Sequence, residues 1–369
     1  MLDAPWSITN LNKNQFGSNE DIIVAKKGIS DMAKKAKHRM KQSQDKCFFC
    51  HRKVSSFCNS HSIPQFILKN IDAKGRLYTF NKTLKLPVMD NEKGINNSGT
   101  FKLICRECDS KIFSDYENPE KWGKKPSNKM LYEIAMKDYM HSISKRSFEY
   151  ELYKVIDVPD ITDLAHTLQQ LDINEYKKEF DRSKKLYSDN SSNDEYNLFF
   201  YRKLDYIIPM AFQRCIALVV DLDGCLINDL NCKKSNYKIY NMHICAFPLK
   251  DSSVVFLFTD RKYKRYRKFI KQFTRINDLN KQLAIINYMI FMYSEDVFLS
   301  KSLDTIISNN KNLEEVARIV PSSYYGFESS SVKLLQKELT KDTMHRYTLN
   351  NYYRIPNFLS KEYAVNKDI

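Results

Sequence analysis

Apolar positions along this chain fall into two regimes, helical spacing in some stretches and short uninterrupted runs in others, and the alternation between them divides the sequence. Across residues 129–156, Leu131, Ile134, Ala135 and Ile143 recur at helical spacing, and residues 163–187 continue helically behind a strongly charged outer face. Both segments are expected to be packing helices. Downstream, NMHICAFPL and VVFLFTD are apolar almost throughout and are joined by the turn-like KDSS, which predicts an antiparallel pair. IALVVDLDGCLIND at 216–229 sets Asp-Gly between apolar runs and predicts a second hairpin, so the region reads as an antiparallel meander. Residues 279–293 are apolar enough for a buried helix, and 313–319 and 332–339 predict shorter ones.

The first third is more broken. Residues 1–20 are polar and irregular, and SDMAKKAKHRMKQSQDK at 30–46 predicts a basic helix capped by Ser30, with Met32, Ala36 and Met40 on one side. QFILKNI predicts a short apolar helix, GRLYTFN and KTLKLPV alternate like strands, and FKLIC at 101–105 predicts a strand leading into a helix near Asp109. The prolines and glycine of ENPEKWGKKPSN at 117–128 mark a domain boundary. The expected division is a basic arm over 1–45, a module over 46–125 with an insertion, and an α+β domain over 126–369 with a sub-boundary at 188–194.

Composition narrows the class. A chain of 369 residues, 43% hydrophobic, holds more than one small module. The formal charge of +15 favours a polyanionic partner such as nucleic acid. Lys34, Lys35, Lys37 and Arg39 on the first basic helix are candidate phosphate contacts. The segment 261–275 offers a second set: Tyr263, Tyr266, Phe269, Ile270 and Phe273 form a stripe expected to pack on the sheet, leaving Lys264, Arg265 and Lys268 outward for nucleic acid. With neither a leader-like start nor an apolar run long enough to cross a bilayer, the expected location is the cytoplasm, with no membrane partner. Reduced cysteines fit that compartment.

Candidate chemistry concentrates between residues 47 and 117. CFFC at 47–50 and CRECD at 105–109 supply two Cys-x-x-Cys turns, and the thiolates of Cys47, Cys50, Cys105 and Cys108 are the soft tetrahedral set that a structural Zn²⁺ takes. Cys58 and His51 lie close enough in sequence to replace one of the four. Between the pairs, SHSIP places His61 just before a proline, held and partly exposed as a general base must be.

Cys-x-x-Cys, then Ser-His-x-Ile-Pro, then Cys-x-x-Cys-Asp, in this order, resembles the HNH endonuclease family in its zinc-stapled form, over residues 47–117. The resemblance implies an N-terminal treble-clef ββα-metal zinc module, followed here by a mainly helical domain with a β-meander. It implies that His61 activates water, and that Asp109, where the family has His or Asn, holds a catalytic Mg²⁺ or other divalent ion, assisted by Asp115 or Glu117. It departs at Ser60, where the family carries an acidic ligand. The implied activity is metal-dependent hydrolysis of phosphodiester bonds, on DNA in preference to RNA, in a phage-defence setting, under the restraint of a regulatory protein or an oligomer.

Two other readings follow from the same residues. A catalytically silent zinc module would bind nucleic acid or protein through its basic surface. Alternatively, VVDLDG resembles the first motif of haloacid dehalogenase-like phosphohydrolases, which implies Asp221 as nucleophile and Asp223 as acid and base.

Overall fold

The computed structural model describes residues 17–156, 161–189, 194–232, 236–321 and 330–365. Residues 1–16, and 190–193 within the expected sub-boundary, lie outside the described residues. The chain opens with α1 (Asn19–Gln42), a longer helix than its apolar pattern implies. Its start is set by Ser18 rather than Ser30. The Ser18 hydroxyl accepts from the Asp21 amide at 3.2 Å, and the Asp21 carboxylate accepts from the Ser18 amide at 2.8 Å, a capping box that satisfies two orphan donors.

The segment that follows is built from short pieces: β1 (Ser60–His61), α2 (Gln65–Leu68), β2 (Arg76–Thr79), α3 (Phe80–Leu84), β3 (Glu92–Gly94), β4 (Thr100–Phe101) and α4 (Arg106–Ile112). The stretch expected as a second strand, KTLKLPV, instead begins inside α3, because Lys85 takes a left-handed conformation that ends a helical turn. Two long helices come next, α5 (Asn128–Ile156) and α6 (Ile161–Ser188).

Strands β5 (Tyr196–Leu204), β6 (Met210–Ile216), β7 (Met242–Pro248) and β8 (Ser253–Asp260) precede α7 (Arg267–Thr274) and α8 (Leu279–Tyr293). Then come β9 (Phe298–Leu299), α9 (Asp304–Asn309), α10 (Lys311–Ala317) and α11 (Ser330–Arg346). The fold is mixed α and β. Its main sheet has seven strands in the order β3-β2-β9-β6-β7-β8-β5, and every pairing is antiparallel among the described residues.

Both faces of this sheet are covered at its centre, which is why β7 and β8 read as continuous apolar runs instead of alternating ones. On β7, Met242, Ile244 and Ala246 join one core with α7 and α8, while Cys245 and Phe247 join a second core with α5 and the cysteine-rich segment. β7 and β8 form the hairpin expected at KDSS. The run after Ile216 does not continue as a sheet strand. It folds into a loop with a buried base and an exposed tip, closed by the bridge between Val220 and Leu226, and the Asn228 side chain donates to the Leu218 and Tyr240 carbonyls to satisfy the backbone at its base.

The segment expected as an insertion inside the N-terminal module is part of the main sheet. β2 pairs with β3 and with β9, setting Tyr78 opposite Leu299, and β9 in turn pairs with β6. The segment 117–128 is also packed rather than linker-like. Trp122 is buried with its ring 5.1 Å from Phe247, and its indole donates to the Tyr116 carbonyl at 2.8 Å.

Helix α5 is the central rod. Every residue from Met130 to Ile143 is buried, because α1, α6, the sheet and the cysteine-rich segment enclose it on all sides. An enclosed helix must satisfy its polar residues internally. Asp138 accepts from His243 Nδ1 at 2.7 Å and from Gln213 Nε2 at 2.9 Å, which ties the helix to β7 and β6. His141 stacks on Phe101 and takes a hydrogen bond at 2.7 Å from Arg214 to its Nδ1. α6 covers the cysteine-rich segment, with Phe180 edge-on to Phe48 at 4.8 Å and Lys184 donating to the Phe49 carbonyl.

Two outcomes follow from this packing. Gly99 has φ of +63°, and a Cβ there would lie 2.5 Å from the Ser62 hydroxyl and 3.1 Å from the Phe298 ring. Gly99→Ala should therefore cost about 2 kcal/mol or more in a denaturant titration, since both the backbone and the space forbid it. Burial, reinforced by Arg214, pushes the His141 imidazole down to about 3, so the fold keeps it neutral where the unfolded chain would protonate it. Stability should fall as pH drops from about 6.5 toward His141's folded value, and His141→Gln should flatten that fall by about 1 kcal/mol per pH unit.

Candidate metal centre and the adjoining acid cluster

The four cysteines of the two Cys-x-x-Cys turns come together. The Sγ atoms of Cys47, Cys50, Cys105 and Cys108 all lie within 4.8 Å of one another. In the first turn the His51 amide donates to the Cys47 carbonyl at 2.8 Å and the Cys47 amide to the Arg52 carbonyl at 2.9 Å, with His51 at φ of 59° to make the reversal. The second turn is drawn onto the first by Phe48 N to Leu103 O at 2.9 Å and by the Cys105 amide, which points at Cys47 Sγ from 3.3 Å.

An amide aimed at a sulfur stabilises a thiolate, and four converging sulfurs fit a tetrahedral zinc with bonds of about 2.3 Å. Arg52, through its hydrogen bond to Cys50 Sγ, brings that thiol down to about 6, while burial raises those of Cys47 and Cys108. His51 and Cys58 are not in this group, and Cys58 instead donates to Asp109 Oδ2 at 3.3 Å.

His61 stands on β1, whose partner strand β4 leads into the second cysteine pair, and Asp109 stands on α4 directly after Cys108. β1 pairs antiparallel with β4, setting Ser60 opposite Phe101 and His61 opposite Thr100, and the chain then passes through Cys105 into α4, which carries Asp109. Successive strand residues face opposite ways. Ser60 is buried toward α4 and donates to Asp109 Oδ1 at 2.6 Å, while His61 turns to the Ile95 carbonyl, 3.3 Å from its Nε2. A carbonyl only accepts, so this contact selects the tautomer with hydrogen on Nε2 and leaves Nδ1 as the basic nitrogen. Burial, with a contribution from Lys137, lowers the His61 pKa and keeps the ring neutral.

The expected divalent-ion ligands have other partners. Lys137, reaching down from α5 and fully buried, donates to Ser60 Oγ at 2.8 Å and pairs with Asp109 Oδ1 and Glu117 Oε1, each at 3.0 Å. The Phe113 ring covers its ammonium, with the centroid 3.7 Å away. Asp115 pairs with Lys121 and Lys129 at 2.9 and 3.2 Å. Burial works to raise the Asp109 carboxyl, but Lys137, Ser60 and Cys58 outweigh it and hold it below the usual range. Both oxygens of Asp109 are thus engaged within the chain, and Asp109 and Glu117 do not fit an additional divalent ion as they stand.

The basic residues divide by location. On α1, Lys35, Lys37 and Arg39 are exposed, with no ion pair among the described residues, and Lys34 holds only an exposed i,i+3 contact with Asp31. Near α7, the stripe Tyr263, Tyr266, Phe269 and Phe273 is buried as expected, but two of its candidate phosphate contacts are used internally. Arg265 lies over the rings of Tyr237 and Tyr240, 4.6 and 3.9 Å from their centroids. Lys268 bridges Asp221 and Asp223 at 3.1 and 2.9 Å; Lys264 stays exposed.

Asp221 builds a turn: its Oδ1 accepts from the amides of Asp223 and Cys225, both at 2.9 Å, around Gly224 at φ of +78°. Neither this arrangement nor an antiparallel sheet is that of a doubly wound phosphohydrolase, which needs parallel strands joined by crossovers.

No family model, curated protein or solved structure matches the chain.

Sequence reasoning missed Lys137. Its signal was present: Glu133, Lys137 and His141 recur every four residues among mostly apolar neighbours at the start of α5, a polar stripe that a helix packed on one face alone would turn to solvent. The metal centre gives a direct test. Purified protein should carry about one zinc per chain by elemental analysis, and Cys105→Ser should lose it together with the cooperative unfolding of the cysteine-rich segment.

Proposed function

We propose that this chain is a zinc-stapled endonuclease of the HNH type, hydrolysing phosphodiester bonds of DNA. The observation that carries the reading is the antiparallel pair of β1 and β4, the latter leading through the second cysteine pair into α4, with a partly exposed His61 of lowered pKa on β1. The four cysteines hold the two halves of the module together and take no part in bond breaking. His61 Nδ1 accepts a proton from the attacking water, and its lowered pKa keeps it ready to do so at neutral pH. The exposed face of α1 attracts the polyanion through Lys35, Lys37 and Arg39.

A second reading is favoured by one specific observation, the engagement of Asp109 and Glu117 by Lys137. In that reading the module is a zinc-containing nucleic-acid-binding element without catalysis.

Incubation of zinc-loaded protein with plasmid DNA and with structured RNA separates the two. Wild type should nick DNA, His61→Ala should slow the reaction by about 10²- to 10⁴-fold, and Asp221→Ala should leave the rate unchanged. The acidic limb of the rate profile should lie below about 6.5, the ordinary histidine value. Binding without cleavage by wild type would instead establish the second reading.

A further inference from the structure

We infer that the Lys137 ammonium is the resident cation of the Asp109–Glu117 pair, so that among the described residues the four cysteines alone are left to hold a metal ion, and Lys137 is a positioning residue that closes the acid pair to a second one. That this acid pair borders a catalytic position rests on the endonuclease reading; the occupancy itself stands on geometry.

An ammonium has three N–H donors. Those of Lys137 meet three oxygens, Ser60 Oγ at 2.8 Å and the carboxylates of Asp109 and Glu117 at 3.0 Å each. The Phe113 ring covers the same nitrogen at 3.7 Å, so its surroundings are complete. The cage also has the size of an ammonium. Mg²⁺ requires oxygens at about 2.0–2.1 Å, so its ligands would have to close in by nearly 1 Å while the lysine, itself a positive charge, withdrew.

Ser60 completes the balance. Its hydroxyl accepts from Lys137 and donates to Asp109 at 2.6 Å, a relay that an acidic side chain at position 60 would replace with carboxylate facing carboxylate. The departure from the zinc-stapled pattern at Ser60 and the buried lysine on α5 are therefore two halves of one arrangement.

Mn²⁺ binding, followed by electron paramagnetic resonance on zinc-loaded protein, tests this without relying on activity. Wild type should show no stoichiometric Mn²⁺ site. Lys137→Met, which keeps the buried stem, should gain one site at least about tenfold tighter than any wild-type binding, and Lys137→Met/Asp109→Asn should lose it again. Retention of one zinc verifies that each variant is folded. One Mn²⁺ bound by wild type and removed by Asp109→Asn would overturn the inference, as would a zinc-retaining Lys137→Met that binds none. Should Lys137→Met lose its zinc, the wild-type titration alone decides. Absence of cleavage in every variant would remove the endonuclease reading, while the metal counts would still decide whether Lys137 occupies the acid pair.

Discussion

A buried ammonium ion is stable only where its three donors and its charge are all met. Here they are met by groups from three separate places in the chain: the strand residue Ser60, Asp109 on α4, and Glu117 beyond it. Breaking a buried pair by removing one partner typically costs about 3–5 kcal/mol, so the position of Lys137 fixes α5 against the cysteine-rich segment within narrow limits. One residue farther along the helix, Asp138 does the same toward the sheet through His243 and Gln213. α5 thus carries two polar anchors on different sides, and the metal centre and the sheet are referenced to each other through it.

The parts of this architecture that are legible in the sequence are those set by short-range chemistry. Two Cys-x-x-Cys turns announce a four-sulfur site because each turn is a local motif, and the sulfurs do converge. The β7–β8 hairpin and the buried α8 follow from continuous apolar runs and a four-residue turn. Elements that depend on distant partners are not legible. Whether Arg265 and Lys268 face solvent or their own protein depends on Tyr237, Tyr240, Asp221 and Asp223, none of which lies within 261–275. Asp-Gly at 223–224 does form a turn, but the apolar runs beside it are not sheet strands; the burial of Leu218, Val219 and Val220 comes from loop packing, which imitates a strand in composition.

The distribution of charge follows the same division. A formal charge of +15 does not translate into a uniformly attractive surface, because several of the lysines and arginines that produce it are paired with carboxylates inside the fold, as the buried Lys137 and the partly buried Lys145 and Arg214 are. The outer face of α1 keeps its cations in water, where they act at a distance of about a Debye length. Long-range attraction is thereby separated from the acid cluster beside His61, where each charge is compensated at contact distance.

β9 is two residues long, yet it joins β2 to β6 and so completes a sheet in which β3 and β2 come from the first third of the chain. During synthesis β2 and β3 leave the ribosome long before this bridging strand exists. Until then they present a two-stranded ribbon with an open edge, and pairing at such sequence separation is slow. The four sulfurs are all available by residue 108 and converge without β9, so an ion bound there in that interval would hold the ribbon near its final place and tie metal uptake to the order of folding.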